Sequence, residues 1–382
     1  MKEETTAIHA GLDNPNGGVT TPVDLSSTFR QDSLALDGFA YSRLSNPTVA
    51  SLEKQLAALE DATYALAFSS GMGAISTTIL GLLESGDEII VSDDLYGGTQ
   101  KFLDTIAIKL GITVVRVDAV HSVNVANAIN DKTKMIYLET PTNPLLKIVS
   151  LHDICLVRDI NLISNPLIVV DNTFATPLGQ DPLFWGADIV LHSLTKYING
   201  HSDVIAGAVM LNDKGLKDTL FATRTYMGTC MNPFDAMLVS RGIKTLPARM
   251  NLHEAGANEI AIFLEGHPMA ENVLYPGLRS HPQHNIATQQ MDNYGGMVTF
   301  TLKGDTDAVQ RFLDALKIFT PAVSLGGVES LIEVPYFMTH GNMSHEEKDT
   351  LGITENMIRI SIGIENIDDL LKDLTTALQA AK

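Results

Sequence analysis

The chain has 382 residues, and 26 Lys and Arg stand against 45 Asp and Glu, which gives a formal net charge of −19 at pH 7. This length predicts two domains with a core each, and the acidic balance disfavours nucleic acid and anionic membranes as partners. Charged residues make up only 19% of the sequence, which is few for the surface of a monomer and favours large interfaces between subunits.

Compartment and metal content follow from a few residue types. The two cysteines, Cys155 and Cys230, are too few for a disulfide framework or a zinc site. The histidines lack HxxxH or HExxH spacing, so no metal site is expected. The first residues contain no apolar signal core, and no apolar run is long enough to span a bilayer. The cytoplasm is therefore the expected location.

The first 47 residues lack sustained periodicity and contain several Asn-Pro and Gly-Gly turn signals. They predict an extended arm, and apolar residues such as Val23 and Phe29 indicate that the arm lies on another surface, which in an oligomer can belong to a neighbour. The sequence thus divides into an arm (1–47), a main domain (48–250) and a C-terminal domain (251–382).

A helix is predicted to begin after Thr48, which would cap it, because leucines recur there at helical spacing. The next small-residue segment, Ser69-Ser70-Gly71-Met72-Gly73, opens another predicted helix. The backbone N–H groups of such a start bind anions, and small residues let a phosphate approach. A GxGxxG dinucleotide motif is rejected, because Ser76 replaces the third small residue and the segment follows a predicted helix.

Strands and helices then alternate regularly, which predicts an α/β fold with a mostly parallel sheet covered by helices on both faces. Ligands of such sheets bind beyond the carboxyl ends of the strands. Polar candidates follow four of the predicted strands: Tyr96, Asn143, Asp171 and Lys196. Residues from about 212 to 265 are predicted to be helical, and the remainder mixes strands and helices in a smaller α+β domain.

Lys196 follows the predicted strand Asp188–His192 and stands beside two hydroxyl residues, Ser193 and Thr195. Desolvation lowers the pKa of a lysine and so makes its amine nucleophilic. Asp171 ends a neighbouring strand, where a carboxylate could face a protonated ring nitrogen. Taken singly, a lysine after a strand is usually solvated and an aspartate there is usually a turn former. Together, the amine, the carboxylate and the phosphate donors are what pyridoxal phosphate (PLP) requires.

The segment from Asp188 to Ser202 closely resembles the attachment-site signature of the Cys/Met-metabolism PLP enzymes, the family of cystathionine synthases, cystathionine lyases and methionine γ-lyase. Leu194 departs from it, since many members carry a smaller residue there. The resemblance covers almost the whole chain. It implies PLP as cofactor, an aspartate-aminotransferase-like fold (PLP fold type I) and a homotetramer built as a dimer of dimers.

The resemblance also implies roles for individual residues. Lys196 and Tyr96 are expected to be catalytic. The residues expected to bind the cofactor are Lys196, Asp171, Gly71, Met72, Tyr96, Asn143, Ser193 and Thr195, with Tyr41 and Arg43 from a neighbouring subunit. The residues expected to bind the substrate are Arg359, Ser324, Val323, Asn143 and Tyr41.

The expected reaction is carbon–sulfur cleavage of cystathionine or a related sulfur amino acid, with γ-elimination favoured. Val323 stands where many γ-synthases and γ-lyases hold Glu, which leaves cystathionine β-lyase and γ-synthase activity as alternatives. Gly98 departs from the methionine γ-lyases, which typically carry Cys there. A protein that binds PLP without turnover is a further alternative, and a nicotinamide dehydrogenase is disfavoured by the failed glycine motif.

Overall fold

The computed structural model describes residues 1–34, 38–341 and 343–382. Residues 35–37, which belong to the predicted arm, lie outside these ranges. Within the described ranges, no helix is both long enough and apolar enough to cross a membrane.

The larger sheet carries the predicted α/β alternation. Its strands, counted over the described residues, are β1 (Tyr64–Phe68), β2 (Glu88–Ser92), β3 (Thr113–Val117), β4 (Thr133–Glu139), β5 (Leu167–Asp171), β6 (Ile189–His192) and β7 (Gly207–Leu211). Their order is β1-β7-β6-β5-β4-β2-β3, and of these seven described strands only β7 runs opposite to the others. The five parallel strands therefore end at one edge, where a ligand site is expected.

Helices cover both faces of this sheet, and its strands are therefore buried on both sides. In β6, Val190 belongs to one apolar core and Leu191 to the core on the opposite face. The helices of this part are α1 (Glu3–His9), α2 (Pro47–Leu59), α3 (Gly71–Leu82), α4 (Gly97–Phe102), α5 (Ser122–Ala128), α6 (Leu151–Ile160), α7 (Lys214–Met227) and α8 (Pro233–Ile243).

A long helix, α9 (Leu246–Glu265), connects this part to a second, smaller sheet. Leu246 and Met250 pack in the first core, while Ala257 and Leu264 pack in the second. The predicted boundary at residues 250 and 251 falls within this helix and stays a prediction.

The smaller sheet is mostly antiparallel, in agreement with the predicted α+β layer, and its order is β10-β11-β12-β9-β8. Its strands are β8 (Ala270–Leu274), β9 (Met297–Leu302), β10 (Thr320–Pro321), β11 (Leu331–Glu333) and β12 (Met357–Ser361). Its helices are α10 (His284–Gln290), α11 (Thr306–Ala315), α12 (His345–Leu351) and α13 (Ile367–Ala380).

The start of α2 differs from the prediction. Asn46, not Thr48, caps the helix, because its side chain accepts hydrogen bonds from the N–H groups of Thr48 and Val49. The Thr48 hydroxyl instead donates to the Pro22 carbonyl at 2.9 Å. Pro47 at the first helical position fits the cap, since its missing N–H would have no partner there.

Two more local expectations were wrong. The small-residue segment follows strand β1 rather than a helix, so the dinucleotide motif fails on Ser76 alone. The arm also begins with a helix, α1, which packs on its own chain: Ala7 is fully buried, and the Gln55 side chain donates to the Ala7 carbonyl at 2.8 Å.

Candidate active site

A cavity of about 290 Å³ lies between the carboxyl edge of the larger sheet and the second domain. Most of the predicted site residues line it, although they are far apart in sequence. They are Gly71, Met72, Tyr96, Asn143, Asp171, Ser193, Thr195, Lys196, Val323, Ser324 and Arg359. The topology brings them together because parallel strands end at the same edge and the second domain packs over that edge.

Lys196 follows β6 and points into this cavity. Its Nζ donates to the Ser324 hydroxyl at 2.7 Å. The pKa of Lys196 is lowered from 10.5 to about 8, first by burial and then by the nearby charge of Arg359, while Glu333 opposes the shift. An amine with this pKa is neutral in part of the protein near pH 7, which is the form that reacts as a nucleophile.

Asp171 ends β5 as a buried carboxyl group with donors on both oxygens. Its Oδ1 accepts from the Thr173 backbone N–H at 3.1 Å and from the Thr173 hydroxyl at 2.5 Å. Its Oδ2 accepts from the Tyr137 hydroxyl at 3.3 Å. Burial raises the pKa of Asp171, while Thr173 and His192 lower it. Such a group binds a cation well, since a positive partner favours its ionised form.

The start of α3 forms an anion cradle. Ser70 caps the helix by accepting the Gly73 N–H at 2.9 Å, and Gly71 and Met72 are the first helical residues. The first N–H groups of a helix have no partner inside it. A Cβ on Gly71 would lie 3.0 Å from the Ser193 Cβ, so glycine keeps this cradle open. The Thr195 hydroxyl, by contrast, is engaged with the Ala206 backbone at 3.2 Å.

Arg359 is buried in β12, and its guanidinium group is hydrogen-bonded mainly through Nη1 and Nη2. Its Nη1 contacts Asn143 Oδ1 at 2.8 Å and Glu333 Oε1 at 2.9 Å, and its Nη2 donates to the Ser324 carbonyl at 2.8 Å. Its Nε has no partner among the described residues. The edge formed by Nε and the second Nη2 hydrogen can therefore take a carboxylate with two parallel hydrogen bonds.

Ser324 links this arginine to Lys196. Its φ is 88°, in the left-handed region that residues other than glycine rarely adopt. This conformation is accompanied by two contacts, in which its carbonyl accepts from Arg359 and its hydroxyl accepts from Lys196. Strained backbone of this kind is common at functional sites.

Tyr96 precedes α4 and is 41% exposed at the cavity. Its backbone N–H donates to Glu139 Oε2 at 2.8 Å. A Cβ on Gly98 would lie 2.4 Å from the ring atom Cε1 of Tyr96 and 3.1 Å from Met72 Sδ. The ring position therefore depends on glycine at residue 98.

Tyr41 and Arg43 do not join the cavity of their own chain. Arg43 donates to the Thr225 carbonyl at 2.9 Å, and its guanidinium lies 5.6 Å from the centre of the Tyr41 ring. Tyr41 is 45% exposed. The two side chains are thus available at the surface of the subunit.

Three polar residues that line the cavity were missed in the sequence: Glu139, Thr173 and Thr339. Glu333, which contacts Arg359, was missed as well. The sequence could have indicated Glu139, because it is a carboxylate at the end of β4, just as Asp171 is at the end of β5. The sequence could not have indicated Glu333, because its contact with Arg359 depends on the pairing of β11 with β12. Thr339 donates to Glu333 at 2.7 Å and so belongs to the same group.

Comparison with known proteins identifies the family. The sequence pattern of the Cys/Met metabolism PLP-dependent enzymes matches residues 4–379. The chain is 47% identical to cystathionine gamma-lyase of Dictyostelium discoideum, over 98% of this chain and 97% of that one. It is 45% identical to cystathionine beta-lyase of Lactococcus lactis, over 98% of each chain. Cystathionine gamma synthase of Xanthomonas oryzae, solved in complex with cystathionine, superposes with a TM-score of 0.96 at 41% identity, covering 100% of this chain and 98% of that one.

The cavity has the donors that PLP needs. Lys196 offers an amine of lowered pKa, Asp171 a buried carboxylate, and Gly71 an open helix start where a Cβ would collide with Ser193. PLP requires an attachment point, a partner for its ring nitrogen and a phosphate cradle, and these three groups have the chemistry that such roles need. The fold is that of the PLP type I enzymes, with a mostly parallel central sheet and a second sheet domain. The chain therefore belongs to the Cys/Met metabolism PLP-dependent enzymes, takes pyridoxal phosphate as its cofactor and acts on a small amino-acid substrate.

Proposed function

We propose that this enzyme cleaves cystathionine mainly by γ-elimination, which gives cysteine, 2-oxobutanoate and ammonia. The observation that most supports carbon–sulfur cleavage is the double role of Ser324, which contacts both Lys196 and Arg359. A substrate carboxylate on Arg359 is thereby held next to the amine that removes protons from the same substrate. The names of the relatives, gamma-lyase and beta-lyase, support the same class of reaction. The choice of γ-elimination follows the similarity to cystathionine gamma-lyase.

Each residue then has a physical task. When bound, PLP supplies the electron sink that makes the Cα proton of an amino acid removable. Arg359 grips the carboxylate with its planar fork and so orients the substrate. Lys196 carries protons at Cα and then at the next carbon, since Ser324 keeps its Nζ within the cavity.

The remaining roles concern the cofactor itself. Asp171 would hold the ring nitrogen, and Asn143 would stand near the phenolic oxygen. Tyr96 would stack on the ring, and its phenol can exchange protons with the substrate. Gly71, Met72 and Ser193 would bind the phosphate. Thr195 joins them only if its hydroxyl leaves the Ala206 backbone, to which it donates at 3.2 Å.

Val323 favours some β-elimination beside this reaction, with homocysteine and pyruvate as products. Its side chain lines the cavity and is 56% exposed, and it offers no charge for the distal amino group of cystathionine. A charged hydrogen bond contributes ~1.5–3 kcal/mol. Because ~1.4 kcal/mol is a factor of ten in rate, the missing contact is large enough to change the ratio of two paths.

The test is product analysis with cystathionine. We expect wild type to release more 2-oxobutanoate than pyruvate, and Val323→Glu to raise that ratio by about tenfold. Val323→Gln is the matched control, since it adds the same bulk without charge and should change the ratio much less. Release of pyruvate alone by wild type would instead make the enzyme a β-lyase.

We also propose that each active site is completed by a second subunit, within a homotetramer. Tyr41 and Arg43 lie on the arm, outside the cavity of their own chain. Large apolar side chains are exposed on nearby helices, such as Tyr226 at 85% and Phe234 at 53%. Exposed apolar surface of this kind is typical of protein interfaces.

A further inference from the structure

Two buried carboxyl groups face the cavity side by side. Glu139 ends β4 and Asp171 ends β5, and the two residues are paired in the register of these parallel strands. They are 4% and 6% exposed, and both line the cavity. Two adjacent carboxylates in a buried site repel each other, so the pair keeps one proton over a wide pH range.

The hydrogen bonds of Asp171 favour its ionised form. Thr173 supplies two donors to Oδ1 and Tyr137 one donor to Oδ2. His192, which is buried and bonded to Glu60, also lowers the pKa of Asp171. A protonated ring nitrogen at Asp171 would add a further positive charge in the same direction.

The surroundings of Glu139 favour its protonated form. Burial raises its pKa well above 4.5, and the charges of Asp171 and Asp94 raise it further. The backbone N–H groups of Tyr96 and Asn143 oppose this shift without cancelling it. The surroundings of Glu139 thus favour the protonated form, while the hydrogen bonds of Asp171 favour the charged form.

Other titratable neighbours do not change which of the two carboxyl groups is favoured to carry the proton. Arg359 is near enough to interact with Glu139, but it already contacts Glu333 at 2.9 Å. Tyr137 is neutral, since its pKa is raised well above 10 by burial. His340 has a pKa lowered to about 4 by burial and is neutral at pH 7.

We propose that Glu139 is a positioning residue that works in its protonated form: its neutral carboxyl group accepts the backbone N–H of Tyr96 through Oε2 and leaves Asp171 as the negative partner of the cofactor ring. This inference rests on the proposed role of Asp171. An ionised Glu139 would repel the charge of Asp171, and a neutral Asp171 could not keep a ring nitrogen protonated.

The experiment compares Glu139→Gln with Glu139→Ala by the affinity for PLP as a function of pH, without any turnover. Glutamine is the neutral isostere and keeps an oxygen for the Tyr96 N–H. We expect Glu139→Gln to bind PLP within about twofold of wild type near neutral pH, and Glu139→Ala to bind it about tenfold more weakly, because Tyr96 loses its acceptor. At alkaline pH, ionisation of Glu139 should weaken PLP binding in wild type more than in Glu139→Gln.

A second readout is the infrared band of protonated carboxyl groups in the holoenzyme at neutral pH. We expect wild type to show a band that Glu139→Gln lacks. An unchanged band, a loss of PLP affinity of tenfold or more in Glu139→Gln, or failure of this variant to fold would each overturn the proposal. None of these readouts involves cystathionine, so a wrong assignment of the reaction would leave them unchanged.

Discussion

Lys196 combines a buried amine with a hydrogen bond to Ser324, and its position at the end of β6 was readable from the sequence. The same holds for Asp171, since Asp171 ends one apolar strand and Lys196 follows another. The contacts of Arg359 were not readable, because Glu333 and Ser324 approach it only when β11, β12 and the preceding loop pack together. Residues at strand ends can thus be predicted, whereas their partners from another domain cannot.

The lowered pKa of Lys196 predicts how stability depends on pH in the cofactor-free protein. Below pH 8 the amine is protonated in both states, and its burial destabilises the fold. As the pH rises from about 8 to 10.5, the folded amine loses its proton while the unfolded one keeps it, so stability rises. Lys196→Met removes this dependence, so we expect the variant to be more stable than wild type near neutral pH, by at most roughly 3 kcal/mol.

Urea unfolding between neutral pH and about pH 10 measures this difference. We expect the advantage of Lys196→Met to shrink steadily as the pH rises through that window. The exposed Lys101→Met is the matched control and should follow wild type. Parallel curves for wild type and Lys196→Met would show that the amine is not desolvated.

At the scale of elements, the alternation of strands and helices that the sequence predicts is confirmed by the larger sheet and its covering helices. The strand β1 was missed, because Tyr64-Ala65-Leu66-Ala67-Phe68 is short and follows a helix, and its pairing with the distant β7 defines it. The helical segment after β2 is an α-helix only from Gly97 to Phe102, and it continues as a π-helical turn, Leu103–Ala107. Such changes depend on packing, which periodicity does not report.

The cap of α3 has a predictable effect on the cofactor. Ser70→Ala removes the acceptor of the Gly73 N–H, which costs about 1 kcal/mol of stability and loosens the first turn. We expect PLP to bind about fivefold to tenfold more weakly, since this turn presents the N–H groups of Gly71 and Met72.

The matched control is Asn366→Ala, which removes the cap of α13 in the smaller domain. It should lower the free energy of unfolding by a similar amount and leave PLP affinity unchanged. Equal loss of PLP affinity in the two variants would mean that the effect is general destabilisation and not the geometry of the cradle.

At the scale of the whole molecule, length predicted two domains and composition favoured self-association. Among the described residues, α9 joins an apolar cluster of the larger domain to the cluster of the smaller one. The arm was only partly predictable. Its first helix packs on its own chain, which the sequence did not reveal, because the seven residues of α1 are too few to establish a helical period. The contact of Tyr41 and Arg43 with a neighbouring subunit stays a prediction.

Mixing two variants that are impaired in different residues tests the shared site. Arg43→Ala should weaken the phosphate contact given to a neighbour, and Lys196→Ala should abolish catalysis in its own chain. After joint unfolding and refolding, hybrid assemblies contain sites with both residues intact, so we expect activity above that of either variant alone. The absence of any regain in verified hybrids would show that Arg43 serves its own chain.

The central claim is that Lys196 carries the cofactor in this cavity, and reduction of the holoenzyme with borohydride tests it most directly. Reduction makes the bond between lysine and cofactor permanent, so that mass spectrometry of peptides can locate it. We predict a phosphopyridoxyl group on Lys196 in the peptide that contains residues 188–202, and no adduct in this peptide of Lys196→Ala. An adduct on another lysine of the wild-type enzyme, with Lys196 unmodified, would contradict the account.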